Sequence, residues 1–383
     1  MTTLPLRITA GVDTHRDVHV VAALDERGSL LGVEEFEASA RGYRTTLGWL
    51  RRFGEVELVG VEGTGSYGAG LTRHLLAEEV AVVEVDRPNR QRRRKRGKSD
   101  PQDAITAARA AQSGDALGAA KTRDGNVEAM RVLRVARHSA RKARTQALNQ
   151  MRSIISTAPD EIRAELRDLN VYRLIERASA FRPGTGLDVH AVTKRTLRMI
   201  ARRAAALEDE ITEIDVSLTT LVNETAPALV ARIGVGTDTA SALLVAAGDN
   251  PGRLRNEATF AHLCGASPID ASSGTQQRHR LNRGGDRQAN SALWTIVITR
   301  MVYDPRTRDY IDRRTKEGLT KKEAIRCLKR YIAREVYNHY HDPTSPLTAP
   351  RSIVRGRCRT SGGLSCAVRS CARASLRNSR VVL

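Results

Sequence analysis

The sequence predicts an α/β domain built on a mixed sheet, then a helical and coiled-coil region, then a mainly α C-terminal domain. Three observations carry that prediction. Over the first part of the chain, short β-branched runs bounded by turn residues alternate with stretches of helical periodicity. From residue 125 to 225 the helical periodicity is almost unbroken. Beyond 226, apolar helices are separated by loops rich in Gly, Ser and Arg. The resulting boundaries are 1–115, 116–225 and 226–345, with a basic tail at 346–383.

Taken in order, "RITAGVD" reads as a strand ending at Asp13, "VHVVAAL" as a second, "DERG" as a turn and "SLLGVEEFEA" as a third strand. "ARGYRTTLGWLRRFG" has apolar residues at helical spacing and stops at Gly54. "VELVGVE" is a strand ending at Glu62, "YGAGLTRHLLAEE" a helix and "VAVVEVD" a further strand. A basic loop follows, then a helix from Asp100 to about Gln112. The order β-β-β-α-β-α-β-α matches a ribonuclease-H-like sheet, in which the first and fourth strands are neighbours. Farther on, "MRVLRVARHSARKARTQALNQMRSII" has one core-like face and one basic face, the latter with Arg131, Arg134, Arg137, Arg141, Lys142, Arg144 and Arg152. "TLRMIARRAAALEDEITEIDVSLTTLVNE" has near-heptad spacing, which fits either a coiled-coil contact or helices packed within one subunit. The turn Gly234–Gly236 ahead of an apolar helix can hold a phosphate on helix amides, or can be an ordinary tight turn.

Composition bounds the function. Lys and Arg number 63 against 43 Asp and Glu, a net charge of +20. Clustered excess of that kind implies a polyanionic partner, with nucleic acid ahead of a membrane surface; a solvated charged face is the plainer account. No apolar run approaches a membrane span, and no signal peptide precedes the first strand, so a cytoplasmic, nucleoid-associated protein is expected. The 5 cysteines include no CxxC pair, which argues against a zinc site and leaves oxygen ligands for any metal. The tail has eight arginines, no lysine and no acid. It reads as poorly ordered, with non-specific nucleic-acid binding or no selected role as the two accounts.

The carboxylates give the sharpest signal. In "RRRKRGKSDPQDA", six of the first seven residues are cationic: Arg92, Arg93, Arg94, Lys95, Arg96 and Lys98. Asp100 and Asp103 follow at once. Asp100 as N-cap with Pro101 at N1 and an acid at N3 is a good helix start in its own right. Yet Asp13 and Glu62 end neighbouring strands, and a helix crossing that edge brings Asp100 and Asp103 to the same point. Four clustered carboxylates repel one another unless they hold cations, and oxygen donors suit Mg²⁺ or Mn²⁺. The arginines would then draw in a phosphate backbone and the carboxylates hold the metal that acts on it. "GVDTHRDVHVVAALDERGSLL" is also similar to the first phosphate motif of sugar kinases and actin-like ATPases, but no second glycine-rich nucleotide loop accompanies it.

The ordered set "GVDTHRD", "GVEGTGSY", "KSDPQDA", "GVGTDTASALL" and "GASPIDASSGTQQRHRLNRGGDRQAN" resembles the DEDD transposases of IS110-type insertion sequences, relatives of the Piv DNA invertase, over residues 8–342. The resemblance implies a RuvC-like N-terminal domain with Asp13, Glu62, Asp100 and Asp103 as an acidic tetrad. It implies a nucleophilic serine in "SSG", placed at Ser273 with Ser272 as the alternative. It also implies an RNA-guided recombinase, in which an element-encoded RNA pairs with donor and target DNA and the chain works as a homo-oligomer. Without the resemblance, the serines read as a flexible turn. Arg278, Arg280, Arg283 and Arg287, with His279, are the expected phosphate or RNA contacts. The expected function is transposition through a Mg-dependent tetrad and a covalent serine–DNA link. A metal-only RuvC-type endonuclease and a non-catalytic nucleic-acid-binding protein are the alternatives.

Overall fold

The computed structural model describes residues 6–85, 99–114, 118–271, 273 and 279–341. The basic loop with Arg92, Arg93, Arg94, Lys95, Arg96 and Lys98 lies outside these residues, as do Ser272, Arg278 and the tail from 342 on.

The N-terminal part is a mixed α/β sheet layer. Its strands are β1 (Arg7–Thr14), β2 (Val18–Leu24), β3 (Leu30–Glu37), β4 (Glu55–Glu62), β5 (Ala81–Val85) and β6 (Gly118–Ala119), in the spatial order β3-β2-β1-β4-β5-β6. β1, β2 and β3 form an antiparallel meander, and β1, β4 and β5 run parallel. Short β6, antiparallel to β5, has too few residues to show a period in the sequence.

Side-chain alternation gives the sheet two unlike faces. Ile8, Ala10 and Val12 of β1 join Val59 and Val61 of β4 under two helices, α1 (Ala40–Arg51) and α2 (Ala69–Ala77), through Leu47, Leu50, Leu71 and Leu75. On the other face, toward the ends of β1 and β4, lie Gly11, Asp13, Gly60 and Glu62. There α3 (Asp100–Gln112) lies directly on the strands. Gly11 pairs with Gly60 across β1 and β4. A Cβ on Gly11 would sit 2.0 Å from the Ala108 backbone nitrogen and 2.3 Å from the Ala104 carbonyl oxygen. One on Gly60 would come within 2.8 Å of Ala111 Cβ. The helix offers Ala104, Ala107, Ala108 and Ala111 to that glycine floor, at the spacing that puts them on one stripe. Glycine is therefore required twice here because helix backbone occupies the space of its side chain.

A helical region follows. The helices α4 (Asn126–Ser156) and α7 (Val189–Thr225) form a long antiparallel hairpin, with α5 (Asp160–Leu166) and α6 (Val171–Ser179) at its far end. At that end Met151, Ile155, Ile162, Leu166, Leu174, Leu197 and Ala201 make a separate core. At the near end Val127, Met130, Leu218 and Val222 join a larger core. To that core α9 (Thr237–Ala247), α10 (Glu257–Leu263), α11 (Arg287–Tyr303), α12 (Pro305–Lys316) and α13 (Lys321–Tyr340) contribute Leu243, Phe260, Leu293, Ile296, Ile311, Ile325 and Ile332; the four-residue α8 (Pro227–Val230) links α7 to α9. The α4 N-terminus is capped from far along the chain: the buried Asp249 carboxylate accepts from the Val127 and Glu128 amides at 3.0 and 3.2 Å. Among the described residues, no helix is long and apolar enough to cross a membrane.

Candidate active site at the carboxyl edge of the sheet

Asp13 sits one residue before the end of β1, and Glu62 is the last residue of β4. Both are on the α3 face, two residues after the glycines that let the helix approach. Thr14 Oγ1 donates to the Glu62 carbonyl at 2.8 Å, tying the two strand ends together. Asp100 and Asp103 extend the alanine stripe of α3 by one turn, so the same packing that seats the helix carries both carboxylates to the sheet edge. The helix start differs from expectation. Ser99 is the N-cap, Asp100 is N1 and Pro101 is N2. The Ser99 carbonyl accepts from the amides of Gln102 and Asp103, and the Ser99 side chain makes no capping bond. The acids still lie in the first turn, where exposed amides favour negative charge.

Asp13 and Asp103 are buried, at 7% and 8% exposure, whereas Glu62 and Asp100 are part-exposed. His15, on the turn after β1, places Nε2 3.3 Å from Asp13 Oδ2 and 3.3 Å from Asp100 Oδ2. These three residues put one donor atom each within 4.8 Å of one another. Glu62 and Asp103 stand outside that set. His15 belongs to the motif "GVDTHRD", in which the sequence marks Asp13 alone as a candidate. Its signal is position: two residues after a strand-ending acid, an imidazole falls on the same edge.

The set fits a divalent cation on geometry. Donor atoms bonded at about 2.0–2.2 Å on adjacent corners of a coordination shell lie roughly 3 Å apart, close to the separations seen here. A second missed residue borders the edge. Arg123 holds a left-handed backbone at φ 54°, and its guanidinium covers Gly65 in the turn that follows β4, where a Cβ would come within 2.7 Å of it. Burial lowers the Arg123 pKa, opposed by the charge of Glu128, whose carboxylate lies 3.6 Å away.

The serine stands in a different setting. Ser273 is exposed, between β7 (Ile269–Asp270) and β8 (His279–Arg280), which pair as a two-stranded ribbon in a segment that the sequence shows as a polar loop. The ribbon's base is fixed. Gly285 packs so closely on Gly265 that a Cβ would reach its nitrogen at 2.3 Å. Asn290 Nδ2 donates to the carbonyls of Cys264 and Gly265, and Lys329 Nζ donates to Asn290 Oδ1 at 2.6 Å.

Arg280, Arg283 and Arg287 are exposed. Arg287 also lines a groove of about 510 Å³ with Arg134, Arg137, His138, Arg141 and Lys142. The basic face of α4 is partly used within the chain. Arg134 and Arg137 each reach Asp238 Oδ1 at 2.9 Å, Arg137 also pairs with Asp215, and Arg144 pairs with Glu208. Arg141, Lys142 and Arg152 remain exposed. Asp238 lies in the first turn of α9, so a carboxylate already faces the helix N-terminus considered for phosphate.

Comparison with known proteins agrees with this order of parts. A family model described as a transposase, DEDD_Tnp_IS110, matches residues 10–159. A second, described as transposase of the IS116/IS110/IS902 family, matches residues 228–312. The chain is also 28% identical over 165 residues to the insertion element IS110 uncharacterized 43.6 kDa protein of Streptomyces coelicolor, a match spanning 42% of this chain and 39% of that protein. The first model spans the acidic edge and the start of the hairpin, and the second spans the serine ribbon. Matched in that order, the two parts and the relative place the chain in the IS110-type DEDD transposase family.

Proposed function

We propose that the chain is a DNA transposase that exchanges strands at the ends of an insertion element, through carboxylates on a ribonuclease-H-like, RuvC-like sheet and a covalent link at Ser273. The observation that carries this reading is the convergence of Asp13 and Asp100 beside His15, on a helix seated by paired glycines. Asp13 and Asp100 would hold a divalent ion, Mg²⁺ or Mn²⁺, with Glu62 and Asp103 completing the tetrad. When bound, such an ion supplies Lewis-acid polarisation of a phosphodiester.

The residues of the chain do the rest. Arg280, Arg283 and Arg287 orient the phosphate backbone next to the ribbon. Ser273 Oγ forms an ester bond to phosphorus as the bond from phosphorus to the leaving DNA oxygen breaks. The serine proton passes to solvent and the leaving oxygen is protonated. A hydroxyl of the new strand then attacks the serine ester, so the phosphodiester is conserved without ATP. Donor and target DNA, an element-encoded guide RNA and further copies of the chain in a dimer or tetramer complete the assembly, in the cytoplasm at the nucleoid.

The test is a covalent adduct. In cells carrying the gene with its flanking noncoding DNA, wild-type protein should yield a denaturant-resistant protein–DNA species. Ser273→Ala should abolish it without changing the melting temperature, because one exposed hydroxyl is lost. An adduct that persists would move the nucleophile to Ser272 or elsewhere. Metal-dependent nicking with no adduct in the wild type would favour the RuvC-type endonuclease, which the separation of acids and serine onto different cores also accommodates.

A further inference from the structure

We infer that His15 is a nitrogen ligand of the metal held at the carboxyl edge, and that it biases this site toward Mn²⁺ over Mg²⁺. The inference rests on the proposed metal site and names a residue outside the acidic tetrad.

The argument begins with backbone geometry. β1 ends at Thr14, and the His15 amide donates to the Val18 carbonyl at 3.0 Å, closing the turn into β2. That turn holds His15 over the strand end, where Nε2 is equidistant, at 3.3 Å, from carboxylate oxygens of Asp13 and Asp100. One carboxylate comes from the sheet and the other from α3, so the imidazole spans the junction that packing creates. An imidazole equidistant from two acids either bridges them as an imidazolium or shares a cation with them, and nitrogen coupling to a bound metal separates the two. Three donor groups thus converge from three elements, one donor atom each within 4.8 Å of the others, where they could share one ion.

The chemistry then decides the ion. Mg²⁺ is hard, keeps its water and favours oxygen donors. Mn²⁺ accepts oxygen as readily and tolerates imidazole nitrogen better. Replacing one oxygen donor by Nε2 therefore raises Mn²⁺ affinity relative to Mg²⁺.

Metal binding to the full chain, read without any turnover, tests this. Mn²⁺ and Mg²⁺ are titrated separately by calorimetry into wild type, His15→Ala and Asp13→Asn. Pulsed electron paramagnetic resonance then looks for nitrogen coupling to bound Mn²⁺. Wild type should show coupling from one imidazole, and His15→Ala should lose it. The variant should bind Mn²⁺ about tenfold more weakly with Mg²⁺ affinity within about twofold. The wild-type spectrum needs no variant to fold. Mn²⁺ binding that depends on Asp13 but shows no nitrogen coupling would overturn the inference and leave the carboxylate site standing. Equal losses for both ions in His15→Ala would also overturn it, making His15 a positioning residue. Mn²⁺ binding unaffected by Asp13→Asn would overturn the carboxylate site and His15 together.

Discussion

The acidic edge and the serine ribbon are built in opposite ways. The edge is a product of close packing: Gly11 and Gly60 admit α3 to backbone contact, and the carboxylates ride on the elements so joined. Among the described residues, the ribbon is fixed at its base by Gly265, Gly285 and Asn290, and Ser273 is exposed on it. The difference suits the two proposed tasks. Groups that share an ion must hold their spacing before substrate arrives, since small errors in position cost catalysis steeply. A nucleophile that meets a large polymeric substrate needs access, and its geometry can be completed by the substrate.

The sharpest way to break this comparison is to remove a charge from the edge. Asp100→Asn retains shape at N1 but loses a ligand. Recombination should fall about a thousandfold or more, while the melting temperature changes little. Near wild-type recombination would show that the packed edge is not where the chemistry occurs.

A second change attacks the packing instead of the charge. Gly11→Val places side-chain atoms in the space of the Ala104 and Ala108 backbone, so α3 must lift. Unfolding free energy should drop by about 3 kcal/mol, with Asp100 displaced from Asp13 and metal binding lost. Unchanged stability in chemical denaturation would mean that the helix does not rest on the glycine floor.

Smaller effects are expected in the basic groove. Arg141→Ala, Lys142→Ala and Arg287→Ala together should flatten the dependence of nucleic-acid affinity on salt, because fewer counterions are released. Arg137→Ala should act chiefly on stability, because it breaks pairs with Asp215 and Asp238 inside the chain. An unchanged salt slope in the triple variant would reduce the groove to a solvated surface.

The smallest effect concerns the seam between the sheet and the C-terminal helices. Lys121, just after β6, donates from Nζ to the Val245 carbonyl at 2.7 Å, and burial pushes its ammonium down to about 8. In the unfolded chain a lysine titrates near ~10.4. Below pH 8 both states are charged and the cost of burying the charge is fully present. Between about 8 and ~10.4 the unfolded state alone holds the proton, so stability should rise with pH. Lys121→Met should flatten that rise, as followed by denaturation midpoints. An equally steep rise in the variant would place its source elsewhere.

Much of the edge was legible because its signals are short. A first strand carrying Asp13 near its end (the strand runs one residue further, to Thr14), a strand ending at Glu62 and a helix covering Asp100 to Gln112 follow from period, glycine and proline within windows of a few residues. The capping residue was misplaced by one position, since Ser99 and Asp100 are both good caps and the choice depends on where α3 meets the sheet. The ribbon at 269–280 was not legible, because two-residue strands have no period. The basic face of α4 was legible as charge but not as its use: Asp215 and Asp238 lie far along the chain from Arg137.

The chain order of residues thus settles which stretches become strands or helices, where the acids fall on them and that the molecule has a strong positive charge, because these are local or summed properties. The meeting of His15 with Asp13 and Asp100, the capping of α4 by Asp249, the lodging of Arg123 over Gly65 and the burial of Lys121 are of another kind. Most join residues far apart in sequence, and even His15, near Asp13 in the chain, reaches Asp100 only once α3 is seated. Loop closure and core packing choose those partners over the many others of similar type, so they exist only once the glycine floor and the helical core have formed.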